Sequence, residues 1–153
     1  MKLFHGTDKC FESPSLKDAR ENTDFGKGFY LTEKESVAND WVKDRSTRNV
    51  NVYELTLENT STCKLHIKRF DVSADWAKFV YNNREGLIKS NKFDIIIGPI
   101  ADNGLLKLLD EIKQKKSTFE DVAFKMKMKK FNALQYCFKT EKAIKLLEYA
   151  STK

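Results

Sequence analysis

Histidine is the side chain whose charge changes near neutral pH, and the chain has two of them, His5 and His66. His5 closes a short β-prone run and is followed by Gly6 and Thr7. Its imidazole is therefore expected at a sheet margin, beside a glycine that a ligand or another backbone can approach closely. Two roles are open to it, a binding histidine or a structural one satisfied by its neighbours. The second candidate is Phe25-Gly26-Lys27-Gly28-Phe29-Tyr30-Leu31-Thr32. In an extended chain Phe29 and Leu31 face one way while Gly28, Tyr30 and Thr32 face the other. The tyrosine ring then stands beside a residue without a side chain, which makes a shelf for a flat ligand. An amphipathic tyrosine at a sheet edge is the alternative.

Two familiar signatures are set aside. Gly26-Lys27-Gly28 begins like a dinucleotide fingerprint, but it lacks the third glycine and precedes a strand instead of opening a helix. Cys63 and His66 have a metal-like spacing. Three residues apart on a strand they point to opposite faces, so no metal site is expected.

These residues need elements to hold them. Alternation predicts strands at residues 2–5, 28–31 and 93–98, and a pair of strands at 50–57 and 63–67. Thr32 with Glu35 reads as a capping box opening a helix over 33–45, and Ser73 as the cap of a helix carrying Trp76, Phe79, Val80 and Leu87 on its core face. Asn103-Gly104 opens a helix to residue 115. Ser117 with Glu120 reads as another capping box, before a basic helix ending near 129. Residues 134–138 form a last strand, and Thr140 caps a closing helix with Ala143, Ile144 and Leu147 as its apolar stripe. The expected class is α+β.

Length and composition set the bounds. At 153 residues, 41% hydrophobic, with two prolines and six glycines, the chain is expected to be one globular domain over 1–153. Collagen-like and disordered classes are excluded. No apolar run reaches the ~18 to 20 residues a membrane span needs. The start meets His5 before a signal-peptide apolar segment could form, so a cytoplasmic location without membrane contact is expected. Three cysteines without framework spacing suit reduced thiols. The net charge of +6 is concentrated between Lys113 and Lys130, where seven lysines face two acids. Such a stripe is either a solvated helix face or a surface for nucleic acid, an anionic ligand or an acidic partner.

Taken in order, His5-Gly6-Thr7, Gly26-Lys27-Gly28-Phe29-Tyr30 with Ser36, Ala38 and Trp41 after it, and Gln135-Tyr136-Cys137-Phe138 resemble the ADP-ribosyltransferase superfamily. The likeness is closest to its diphtheria-toxin and poly(ADP-ribose) polymerase branch, whose triad is His, Tyr, Glu. Including Asp75-Trp76, Asn83-Arg84 and Asp94 to Asp102, nearly the whole chain is similar to a family of small uncharacterised bacterial proteins within that superfamily. The resemblance implies split, strongly bent antiparallel β-sheets flanked by helices, gripping NAD as a co-substrate.

Carried over by position, His5 would hydrogen-bond a ribose hydroxyl and Gly6 would read the nicotinamide carboxamide through its backbone. Thr7 and Gly28 would complete the nucleotide site, and Tyr30 would stack on the nicotinamide. Trp41 would form a second aromatic wall; a shift of the match by one would put Asp40 at that position instead. Gln135 stands where the branch has its catalytic glutamate. Arg84 and Asp102 would line the acceptor side; read from the residues alone, they are an ion-pair arginine and a helix cap. The implied activity is mono-ADP-ribosyl transfer from NAD to a protein or nucleic-acid acceptor with release of nicotinamide. A toxin-like role and a neutralising antitoxin-type partner come with it.

Nicotinamide is cationic in NAD and leaves neutral, so aromatic faces suit the bound ring and a carboxylate suits the positive charge that develops on the ribose. A glutamine accepts a hydroxyl but brings no charge and is no base, which predicts a loss on the order of 10² to 10³ in rate against a glutamate enzyme. Glu141 and Glu148 are the replacement carboxylates nearest in sequence. A catalytically silent NAD-binding module and an NAD glycohydrolase therefore stay open beside transfer.

Overall fold

The computed structural model describes residues 1–10, 12–56, 64–88, 92–129 and 133–153. In chain order the elements are β1 (Lys2–Thr7), β2 (Phe29–Thr32), α1 (Glu35–Asp40), β3 (Asn49–Leu55), β4 (Ile67–Arg69), α2 (Ala74–Arg84), β5 (Ile95–Pro99), α3 (Asn103–Lys113), α4 (Phe119–Met128), β6 (Leu134–Phe138), α5 (Glu141–Ile144) and β7 (Leu147–Thr152). The class is α+β. The seven strands form one sheet in the order β4-β5-β6-β2-β1-β3-β7, parallel only between β4 and β5. No helix among the described residues is long and apolar enough to cross a membrane.

The sheet is two half-sheets with a narrow join. β1 meets β2 at one register pair, Phe4 opposite Thr32, whereas β1 pairs with β3 over six residues and β2 with β6 over four. On one face Leu3, Phe29, Leu31, Tyr53, Tyr136 and Phe138 pack with Ile144 and Leu147. On the other, α2, α3 and α4 cover β5 and β6 through Trp76, Val80, Leu105, Val122 and Met126.

Local signals explain most of the elements. Ser73, Asp102, Thr118 and Thr140 each accept a backbone amide of the first turn they precede. The cap of α4 is thus Thr118, one residue later than expected. Asp94 ties β4, β5 and α5 together. Its carboxylate accepts the His66 amide at 2.8 Å and the Thr140 hydroxyl at 2.8 Å, and it pairs with Lys142 at 3.0 Å.

Four expectations fail for tertiary reasons. Thr32 does not cap a helix over 33–45: it lies in β2 opposite Gln135, and α1 starts at Glu35 without a side-chain cap. Strand pairing there outweighs a capping box. β3 and β4 are not partners, since four strands lie between them in the order, and Cys63 lies outside the described residues. Leu87 falls beyond the end of α2 and is exposed. The closing helix stops at Ile144, after which β7 pairs with β3 from Leu55–Leu147 to Asn51–Thr152. The open edge of β3 offers Leu147 burial and its backbone a ladder, which a helix on the surface would not.

Burial acts to raise the Asp94 pKa, but the His66 amide, Thr140 and Lys142 outweigh it and hold the carboxyl below its ordinary 3.8. The folded state then binds fewer protons than the unfolded chain, so this stabilisation is complete above pH 3.8 and lost as pH falls through the lowered value. Asp94→Ala is expected to cost about 1.5–3 kcal/mol in urea unfolding at neutral pH. The gap from wild type should close under strongly acidic conditions.

Candidate functional site

The strands part where their pairing ends. After Phe4 comes His5-Gly6-Thr7, before Thr32 comes Gly28-Phe29-Tyr30, and these two segments line one cleft of about 640 Å³. Trp41, Arg84, Ile100, Ala101 and Gln135 line it as well. His5, Tyr30 and Gln135, from three distant segments, thus share a cavity of the size that holds small ligands (~300–1,000 Å³).

His5 Nδ1 lies 2.7 Å from the Tyr30 carbonyl, and its ring stacks on Phe29 at 4.3 Å between centroids. A carbonyl only accepts, so Nδ1 carries the proton and a neutral ring keeps Nε2 as an acceptor. Burial pushes the His5 pKa below its ordinary 6.5, against the opposite effect of that hydrogen bond. The imidazole is structurally anchored and still faces the cleft.

Tyr30 is fixed by its hydroxyl. That oxygen donates to Gly26 O at 2.7 Å, accepts the Phe25 amide at 2.9 Å and meets Thr23 Oγ1 at 2.9 Å. Burial raises its pKa far above the ordinary value and keeps the proton on. Lys139 Nζ holds the same turn through Phe25 O at 2.6 Å, its own pKa lowered by burial. With its far end locked, the half-buried ring packs against the core beneath α2–α4 and lines the cleft.

The glycines here serve close packing. A Cβ on Gly6 would strike the Ala38 carbonyl, so its absence lets α1 lie against β1 and bring Trp41 to the cleft. Asp40, the alternative to Trp41, is exposed at the end of α1 and does not line the cavity. A Cβ on Gly28 would meet Cys137 Sγ beneath it, a thiol that burial pushes up to about 11.

Gln135 is 3% exposed and its Nε2 donates to Asp24 Oδ2 at 3.0 Å and to Pro99 O at 3.2 Å. Asp24, 7% exposed, takes Arg84 Nε at 2.7 Å and Nη2 at 2.5 Å on its other oxygen. Sequence reading missed Asp24, whose only signal was its place in the turn-forming run before Gly26. Arg84 is both an ion-pair arginine and a cleft residue. Asp102 is not among the cleft-lining residues and caps α3 by accepting the Leu105 amide at 2.9 Å. Glu141 opens α5 and Glu148 lies on β7 opposite Glu54, and neither lines the cleft.

Charge around the mouth is mixed. Arg45 pairs with Asp8 at 2.9 Å, while Lys9 and Arg20 are exposed cations on the rim. Of the basic stretch, Lys113 pairs with Glu85 and Lys125 with Glu111; Lys130 lies outside the described residues. None of its described lysines lines the cleft.

With the His5 pKa lowered, the unfolded chain binds more protons below pH 6.5, so the neutral ring's contribution is lost as pH falls through that region. Urea midpoints should decline from pH 7 downward, with a shallower slope in His5→Gln. An unchanged slope would remove His5 as the titrating group.

No curated protein and no solved structure matches the chain. A family model described as protein of unknown function (DUF3990) matches residues 1–149. The cleft described above lies wholly within the matched region, and the chain belongs to the DUF3990 family.

Proposed function

We propose that the protein is an intracellular mono-ADP-ribosyltransferase that takes NAD into the cleft and moves ADP-ribose to a macromolecular acceptor. The observation that carries this is the convergence of His5, Tyr30 and Gln135 on one cavity, with Trp41 brought beside them by Gly6. Exposed Lys9 and Arg20 give the cleft cations for a diphosphate. The same convergence supports kinship with the ADP-ribosyltransferase superfamily.

In this reading, Tyr30 and Trp41 offer aromatic faces to the cationic nicotinamide ring. The Gly6 backbone reads its carboxamide, and His5 and Gln135 hold ribose hydroxyls. The glycosidic bond breaks with its electron pair leaving on neutral nicotinamide. The acceptor's oxygen or nitrogen forms the new bond to the ribose carbon and gives up its proton. The protein's part is to orient the sugar and to exclude water while positive charge develops. The acceptor is a protein or a nucleic acid.

A second reading is favoured by one observation: both Nε2 protons of Gln135 are spent on internal acceptors, as in a structural glutamine. That suits a module that binds NAD without transfer. Incubating the pure protein with NAD labelled in the adenosine half, together with lysate, separates the readings. Free nicotinamide with label in protein or nucleic acid is expected. Nicotinamide without label transfer indicates hydrolysis, and binding alone indicates the silent module.

His5→Ala and Tyr30→Ala should each lower nicotinamide release by on the order of 10²-fold or more. Tyr30→Phe keeps the ring but loses its anchor, and should retain more activity than Tyr30→Ala. Full activity in both alanine variants, with intact circular dichroism, would remove them from the site.

A further inference from the structure

We propose that Asp24 is the positioning residue of this cleft: its buried carboxylate, held on one oxygen by Arg84, uses the other to orient the Gln135 amide so that Oε1 is presented to the bound sugar. The inference rests on the NAD reading above and adds a residue and a role to it.

A carboxylate that is nearly buried costs stability unless it is paired and hydrogen-bonded. Asp24 meets that condition with Arg84 Nε and Nη2 on Oδ1 and Gln135 Nε2 on Oδ2. The second Nε2 proton goes to Pro99 O. Two acceptors converging on one end of an amide decide which end it is, because a carbonyl oxygen in that place would face a carboxylate and a carbonyl together. Oε1 must therefore point elsewhere. It has no hydrogen-bond partner among the described residues and is not sealed from solvent, and Gln135 lines the cleft.

The arrangement also accounts for the glutamine. A glutamate at 135 would set a second acceptor against Asp24 Oδ2 and Pro99 O, so the buried carboxylate selects the amide. The negative charge then lies behind the amide instead of at its tip. A carboxylate that accepts from Nε2 polarises the amide and makes Oε1 a stronger acceptor. Charge can act on the sugar through this chain without a carboxylate touching it.

Asp24→Asn is nearly isosteric and separates the roles. Its one side-chain acceptor is claimed by Arg84, and its amide then faces Gln135 Nε2, which forces the Gln135 amide to turn over. The kcat for nicotinamide release is expected to fall on the order of 10²-fold, with KM changing far less. Gln135→Glu should also lose activity instead of gaining it. The double variant Asp24→Asn with Gln135→Glu restores donor against acceptor and should exceed both single variants. In the ligand-free wild type, the Gln135 side-chain amide protons should exchange slowly in ¹⁵N spectra.

Wild-type NAD binding together with unchanged kcat and KM in Asp24→Asn would overturn the positioning role and leave the NAD reading standing. A Gln135→Glu variant more active than wild type, or rapid exchange of the Gln135 amide protons, would overturn it even if Asp24→Asn fails to fold. Absence of NAD binding to wild type at millimolar concentration would remove the NAD reading and, with it, this role.

Discussion

Two half-sheets share one residue pair, Phe4 opposite Thr32, and the cleft depends on how narrow that join is. A fully zipped β1–β2 ladder would bring residues 5–7 against 29–31 and fill the space between them. Because the strands separate, the backbone at the parting is bridged by side chains instead. His5 reaches across to the Tyr30 carbonyl and turns a gap in a sheet into a defined cleft with an imidazole on its wall. The covering helices leave this opening clear, since α2, α3 and α4 pack over the β5–β6 half.

A buried carboxylate organises the far wall. Asp24 comes from the turn before β2, Arg84 from the last turn of α2 and Gln135 from the start of β6, so one ion pair and one hydrogen bond fasten three elements that are distant in sequence. The same turn anchors the Tyr30 hydroxyl and is held from the other side by Lys139. The Tyr30 ring and the polar wall are therefore not independent. A change in the 23–26 turn reaches both.

How much could be read in advance depended on the range of the forces concerned. Strands 134–138 and 2–5, the caps at Ser73 and Thr140, and the buried run ending at Gly98 follow from nearest-neighbour chemistry, and they appear where expected within a residue or two. Thr32 and Leu147 carry good local signals for helix that longer-range pairing overrides, with β6 claiming the first and β3 the second. His5 and Tyr30 were legible as candidates from their types and neighbours, and Gln135 from the family resemblance alone. Asp24 was not, because an aspartate in a turn is ordinary until an arginine sixty residues away is found against it.

The linear order of residues was enough to determine the class of fold, the caps at Ser73 and Thr140, and the candidacy of His5 and Tyr30, since each follows from a side chain's own chemistry or from periods of two and about 3.6 residues. Only the folded chain decided where the strands part, that the missing Cβ of Gly6 admits α1, and that Gln135 stands against a carboxylate. These depend on which distant segments share a boundary, and burial gives a hydrogen bond or a charge its weight only after that boundary has formed.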